Sequence, residues 1–377
     1  MNSEKNFAIV NYSRQWDGTA IAARIYHNTL VELGYEPSWY QLADSFDVQD
    51  YMQFPKIIQG SRFPLNSVRP GWNRLVFFPS KRSFITEKNV FLSDPTLIRT
   101  AFGKNFMVKV HDVNPLTKYR EKWTSWAMFK YAMPKLKSAK SNLLAKFSLS
   151  LFGWIFSLLD RKVLKKHLES SKKIAHNSEY LMDLYAEYGM NSKVVIHSPK
   201  EFHDFIPSDI SPSKDYVLAY IGKEVMVSTI LKIADLGVKV MSFGAKVPYG
   251  TSVYELRERA NYLGFVGEDE LPNLYHNALF TIFPFTEEPF GWVPLESMHY
   301  GTPVLSYNKQ GPSETIINGK TGWLVESEDE LIAKALEIWE TKQTGLSTED
   351  CEDRVKSFSP QTTIKKLISL LEEPDEF

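Results

Sequence analysis

The chain of 377 residues has one cysteine, Cys351, which excludes an intramolecular disulfide and a cysteine-based metal site. It has no long apolar run either: the longest strongly apolar window, residues 148–159, falls far short of the ~20 residues that cross a bilayer. The opening Met1-Asn2-Ser3-Glu4-Lys5 is polar and leads directly into a strand-like segment, without the pattern of a signal peptide. The expectation is a cytoplasmic chain, soluble or peripheral on the cytoplasmic membrane face. Low-complexity tracts are absent too. Net charge is nearly absent, at −1, but the balance is uneven. Residues 118–173 hold fourteen Lys/Arg against three acids, interleaved with aromatics such as Trp123, Trp126, Phe152 and Trp154. A cationic, aromatic segment of this kind suits an anionic membrane surface. The alternative is an ordinary helical region with its aromatics in the core and its lysines on a solvated face. The same charge attracts nucleic acid, but no base-reading motif accompanies it, so no nucleic-acid partner is expected.

A chain of this length exceeds the size at which single cores stop growing, so two domains are expected. Apolar runs alternate with helical stripes in two arrays, which implies an α/β architecture with parallel sheets. The first array opens with a strand over 7–12, a loop over 13–18, and a helix to Leu33 whose stripe is Ala22, Ile25, Tyr26, Leu30 and Leu33, stopped by Gly34. Further strands are expected at 75–78, 106–110, 173–176 and 194–197. The second array predicts strands at 216–221, 239–243, 262–265, 279–285 and 303–307. The segment 199–214, rich in Pro, Ser and Asp, reads as the linker between domains. The expected division is 1–204, 205–357, and a final amphipathic segment, 358–377.

The most informative stretch runs from Phe283 to Glu296. An apolar run breaks into a Pro/Gly loop carrying Glu288, then starts a helix carrying Glu296. Pro294 suits the first helical position and Gly301 followed by Pro303 the end, so the pattern predicts a helix over 294–300 with Val293 as N-cap and Glu296 in the first turn. Val293 offers no reciprocal side chain for a capping box. Both carboxylates then lie at the carboxyl edge of a parallel strand, where open α/β sheets bind ligands. Taken alone, the pair reads as a helix-dipole acid and a solvated loop acid.

The surroundings change that reading. Glu288-Pro289-Phe290-Gly291 through Glu296, then Gly301-Thr302-Pro303-Val304 and Gly311-Pro312-Ser313-Glu314, resemble the donor site of retaining GT-B glycosyltransferases, specifically glycosyltransferase family 4. Phe265-Val266-Gly267 with the segment 271–278, the stretch 174–180 with 194–196, and Val108-Lys109-Val110-His111-Asp112 fit the same family in order. The resemblance covers most of the chain, strongly over 170–325 and loosely before 105.

The resemblance implies a GT-B fold, two Rossmann-like domains with parallel sheets facing a central cleft, and a final helix returning to the first domain. It implies transfer of a sugar from a nucleotide sugar to a glycan or lipid-linked acceptor. Glu288 would contact the sugar near its reacting carbon, Glu296 the ribose hydroxyls, and Phe290, Gly291 and Trp292 the sugar through backbone amides. His111 would face that pocket from the first domain. Lys223, just past a strand end, supplies positive charge for the diphosphate, and the helix starting near Gly18 adds backbone donors. Two departures stand out. The family's second basic residue is missing, since Val225, Met226 and Val227 follow Gly222-Lys223-Glu224, and the first-loop glycine pair is reduced to Asp17-Gly18. No Asp-x-Asp occurs, so neither a metal nor another cofactor is expected. A GT-B phosphorylase lacks support here, because the lysine context for pyridoxal phosphate is not visible. From a different class, a catalytically silent GT-B subunit that binds sugar or a partner fits the trimmed phosphate loop.

Overall fold

A computed structural model describes residues 6–11, 18–44, 56–61, 78–79, 85–93, 104–111, 173–186, 194–202, 212–248 and 250–373. The basic, aromatic segment before Lys173 lies outside these residues, as do Asp17, Asp112 and most of the expected linker. The described chain forms two compact units. The first takes the residues up to Asn177, Leu181–Ser198 and those from Thr363 onward; the second takes Ser178–Tyr180 and Pro199–Thr362.

The first unit is built on an eight-stranded sheet of β1 (Asn6–Asn11), β2 (Glu36–Asp44), β3 (Lys56–Ser61), β4 (Phe78–Pro79), β5 (Asn89–Leu92), β6 (Asn105–Val110), β7 (Ile174–His176) and β8 (Val194–Val195). The spatial order is β4-β3-β2-β1-β5-β6-β7-β8, with every pair parallel except β3 with β4. β1 is a run of buried apolar residues from Phe7 to Val10, as a strand covered on both faces requires. Helix α1 (Gly18–Glu32) buries Ala22, Ile25, Tyr26 and Leu30, the stripe expected from the sequence, and Gly34 follows it at φ +80. Helix α2 (Glu179–Ala186) follows β7. β2 was not legible in the sequence: it contains Pro37, and its buried Gln41 accepts from Asn11 Nδ2 at 3.2 Å and Trp39 Nε1 at 3.3 Å.

The second unit has a fully parallel sheet of β9 (Val217–Tyr220), β10 (Val240–Phe243), β11 (Thr281–Phe283), β12 (Val304–Tyr307) and β13 (Gly322–Val325), ordered β10-β9-β11-β12-β13. Period-two alternation covers both faces. Val217, Ala219 and Ile221 enter one core cluster, while Tyr216 and Leu218 enter the other with Phe243, Tyr275 and Ala278. Helices α3 (Val227–Asp235), α4 (Val253–Ala260), α5 (Leu271–Asn277), α6 (Trp292–His299), α7 (Gln310–Thr315), α8 (Glu328–Thr341) and α9 (Thr348–Lys356) follow in the chain. The last helix, α10 (Pro360–Glu372), buries Ile364, Leu367, Ile368, Leu370 and Leu371.

Two expectations need correction. The strand expected over 262–265 reduces to a single bridge from Ser242 to Tyr262. Gly264 takes φ +79 and Phe265 is 78% exposed, so the apolar letters there do not form a buried strand. Helix α6 begins at Trp292, two residues before Pro294, and its N-cap is Gly291 at φ +96, not Val293. Glu296 therefore sits in the second turn. The physical reason is that the first four helical N–H groups have no intrahelical partner, so proline is tolerated throughout the first turn and does not fix the first residue.

Candidate functional site

In the second unit the chain passes from β9 to β10 on one side and returns to β11 on the other. That reversal is the topological switch point where open α/β sheets take ligands, at the strands' carboxyl ends. The two loops that leave it are stitched together. Val225 bridges Phe285 antiparallel, Met226 N donates to Pro284 O at 2.9 Å, and Thr286 N donates to Glu224 O at 2.9 Å. Lys223 is exposed at the tip of the first loop and has no ion pair or hydrogen bond among the described residues. A Cβ at Gly222 would run into the Tyr220 ring and the Glu224 carboxylate, so a larger residue there would have to displace those side chains.

Glu288 lies on the second loop. Its Oε1 accepts from the backbone N–H of Phe290 at 3.2 Å and of Gly291 at 3.0 Å. Its own N–H donates to Gln310 Oε1 at 2.7 Å, and its carbonyl accepts from Gly311 N at 3.0 Å. The loop that enters α6 thus turns two amides, those of Phe290 and the N-cap Gly291, toward one anionic oxygen. Phe290 is buried against Phe358, with centroids 5.7 Å apart.

Glu296 is the centre of a second cluster. Oε1 is 2.7 Å from Lys200 Nζ, each side chain 19% exposed, and Oε2 accepts from the Tyr275 hydroxyl at 3.1 Å. The Lys200 ammonium stands 5.0 Å over the Trp292 ring, and Trp292 Nε1 is a buried donor without an acceptor among the described residues. Burial raises the Tyr220 pKa, and the charges of Glu224, Glu296 and Glu288 raise it further. The three carboxylates therefore act on one phenol. Sequence reasoning missed Lys200, Tyr275, Tyr220 and Gln310. The missing second cation after Lys223 was the signal that pointed to a basic residue elsewhere.

In the first unit, His111 follows β6 directly. Its Nδ1 is 3.0 Å from Ser198 Oγ, and its Nε2 is buried without a partner among the described residues. Two residues earlier, buried Lys109 donates to His176 O at 3.2 Å and to Ile196 O. Burial and then the Lys109 charge hold the His111 imidazole well below its ordinary range. Burial also lowers His176 to about 4, opposed by its bond to Val194 O and assisted by Lys109. Gly18 is the first residue of α1.

These shifts give a signed pH dependence. Unfolded imidazoles titrate near 6.5, so between about 6.5 and 4 the unfolded chain holds the extra proton and stability rises with pH. The His176 contribution is complete above about 6.5 and is lost on acidification at about 1.4 kcal/mol per pH unit. Thermal unfolding from pH 7.5 to 4.5 should show that fall together with one of the same sign from His111, and His176→Asn should make it shallower by the His176 share; an equal slope in both proteins would contradict the assignment.

Residues 251–358 match the family described as Glycosyl transferases group 1. A curated relative, the alpha-1,3/1,6-mannosyltransferase ALG2 of Dictyostelium discoideum, is 32% identical over 124 residues, which is 30% of this chain and 30% of that protein. The likeness therefore concerns less than a third of each. Among solved structures, sucrose-phosphate synthase from Thermosynechococcus elongatus aligns over 97% of this chain and 98% of its own at TM-score 0.68 and 15% identity. Anabaena HepE, solved in complex with UDP-glucose, aligns over 97% and 98% at TM-score 0.62 and 14% identity. At these identities the likeness is one of fold, and function has to be argued from the site.

Proposed function

We propose that this chain, which has the GT-B fold and carries a group 1 glycosyl transferase domain in residues 251–358, is a retaining glycosyltransferase. It moves a sugar from a nucleotide sugar to a glycan or lipid-linked acceptor. The observation that carries this reading is the pair Glu288 and Glu296 at the β9/β11 switch point, inside the matched domain, next to two backbone amides already arranged around an anionic oxygen.

The chemistry follows from charge. When the anomeric C–O bond breaks, its electron pair leaves on the diphosphate and positive character develops on the sugar carbon. Lys223 and the α6 N-terminus meet the departing anion. Donor oxygens take over the Phe290 and Gly291 amides from Glu288, whose carboxylate then turns to the sugar. Glu296 receives the ribose hydroxyls while Trp292 borders the sugar. The acceptor oxygen attacks from the face the diphosphate leaves, gives its proton to the leaving phosphate, and the configuration is retained. In the first unit, His111, held neutral at pH 7 by burial, and the amides at the start of α1, from Gly18, are the groups this reading assigns to polar contact with the substrates. This reading needs no metal, since the sequence has no Asp-x-Asp to bridge an ion to the donor.

No helix among the described residues is long and apolar enough to cross a membrane. The proposed contact with an anionic membrane surface rests on the composition of residues 118–173. It should appear as binding to vesicles containing anionic lipid that weakens with salt; indifference to such vesicles at low salt would remove it.

The test of the reaction is nucleotide release from UDP-, GDP- and ADP-sugars in the presence of a chelator, with glycan and lipid extracts as acceptors. Release from one donor class, unchanged by the chelator, is expected. Release from none would favour the silent sugar-binding subunit, which the occupied Glu288 and Glu296 carboxylates also suit.

A further inference from the structure

We infer that Lys200 is the second phosphate-binding cation of this site, supplied from the segment that enters the second unit in place of the one missing after Lys223. The inference rests on the donor-site reading above and adds a residue to it.

The phosphate loop cannot supply this charge. The residues after Lys223 and Glu224 are Val225 and Val227, at 5% and 7% exposure, and half-buried Met226, all packed in the core of the second unit. These side chains are committed to packing α3 against the sheet, so a cation there would have to leave the core to reach a ligand. The site is also short of positive charge. Glu224, Glu288 and Glu296 all act on Tyr220, and a nucleoside diphosphate adds further negative charge, which Lys223 alone does not balance.

Lys200 is held where such a charge is needed. Trp292, Glu296 and His299 recur at helix spacing along one face of α6. The segment after Pro199 runs along that face: Lys200 reaches Glu296 at 2.7 Å and lies 5.0 Å over Trp292, while Phe202 stacks on His299 with centroids 4.1 Å apart and planes at 17°. The Phe202–His299 stack fixes the backbone on one side of Lys200, so the ammonium is not a wandering surface charge. With Glu296 on the ribose, the neighbouring ammonium lies within reach of the phosphate attached to that ribose. Its pairing with Glu296 does two things: it offsets a carboxylate that would repel the phosphate, and it offers a charge-assisted donor to both.

The test compares the wild type with Lys200→Met and Lys200→Arg in titrations with UDP and uridine, GDP and guanosine, and ADP and adenosine, with thermal unfolding as the check of folding. For the pair that binds, Lys200→Met should lose about tenfold in diphosphate affinity, the size of one charge-assisted contact, while nucleoside affinity changes less than twofold. Lys200→Arg should retain most diphosphate affinity. Equal losses for diphosphate and nucleoside would mean that Lys200 only positions Glu296, and would overturn the inference. So would unchanged or improved diphosphate binding in Lys200→Met, which would make the lysine a bystander or a plug. If the wild type bound none of the three diphosphates, the donor-site reading itself would fail, a result separable from failure of the Lys200 variant alone.

Discussion

Glu288→Gln should lower donor turnover by about 100-fold or more, the cost of removing one preorganised electrostatic group from a reacting centre, while leaving thermal unfolding nearly unchanged. The two readouts separate because Glu288 has two roles. As a loop residue it accepts the Phe290 and Gly291 amides through one oxygen, and a glutamine carbonyl accepts the same bonds. As a charge it serves the positive character that develops on the sugar carbon, and glutamine has none to offer. Glu288→Ala removes both roles and should add about 1 kcal/mol of destabilisation, the usual net contribution of a backbone hydrogen bond lost from a loop. Turnover of Glu288→Gln within a few-fold of wild type would take Glu288 out of the chemistry and leave it as a residue that holds its loop.

Gly311→Ala is the second large effect, and it acts through shape alone. A Cβ at Gly311 would collide with the backbone N, Cα and C atoms of Phe290, which are not free to move. The Gly311 N–H is bonded to Glu288 O, and Gln310 holds the Glu288 N–H at 2.7 Å. The methyl group therefore pushes the 288–291 loop away from α7, with a destabilisation of about 2–3 kcal/mol from overpacking. Turnover should fall with stability, because the displaced loop carries Glu288 and both amides. Gly319→Ala is the control: its Cβ would meet nothing within 4 Å, so only the strain of its φ of +73 is felt. A Gly311→Ala protein with wild-type stability and turnover would show that the close approach of α7 to the loop does not hold the site together.

The parts of the second unit nearest the proposed chemistry were the most legible. β11 is a short apolar run ending in Pro284, and the turn into α6 is marked by glycine and proline, so strand, loop and helix announce themselves. The start of α6 was misplaced by two residues because proline marks the first turn and not its first residue. β2 was hidden because it begins with Glu36-Pro37-Ser38 and buries a polar residue, Gln41, which accepts from Asn11 on the neighbouring strand and from Trp39 two residues earlier, and no local pattern reports the partner across the sheet. The stretch around Leu263 failed in the opposite way, with apolar letters that the fold leaves exposed. Lys200 could not have been assigned from spacing. It is far from Glu296 in sequence, and only the parallel sheet and the Phe202–His299 stack bring the two together.

The measurement that most directly tests the placement of the donor at the β9/β11 switch point is amide hydrogen exchange with and without the nucleoside diphosphate that the protein binds. Protection should concentrate in residues 221–226 and 284–296, the two loops stitched by Val225 and Phe285, and should be lost in Glu296→Ala. Nucleotide-dependent protection confined to other parts of the chain, with these two loops unchanged, would contradict it.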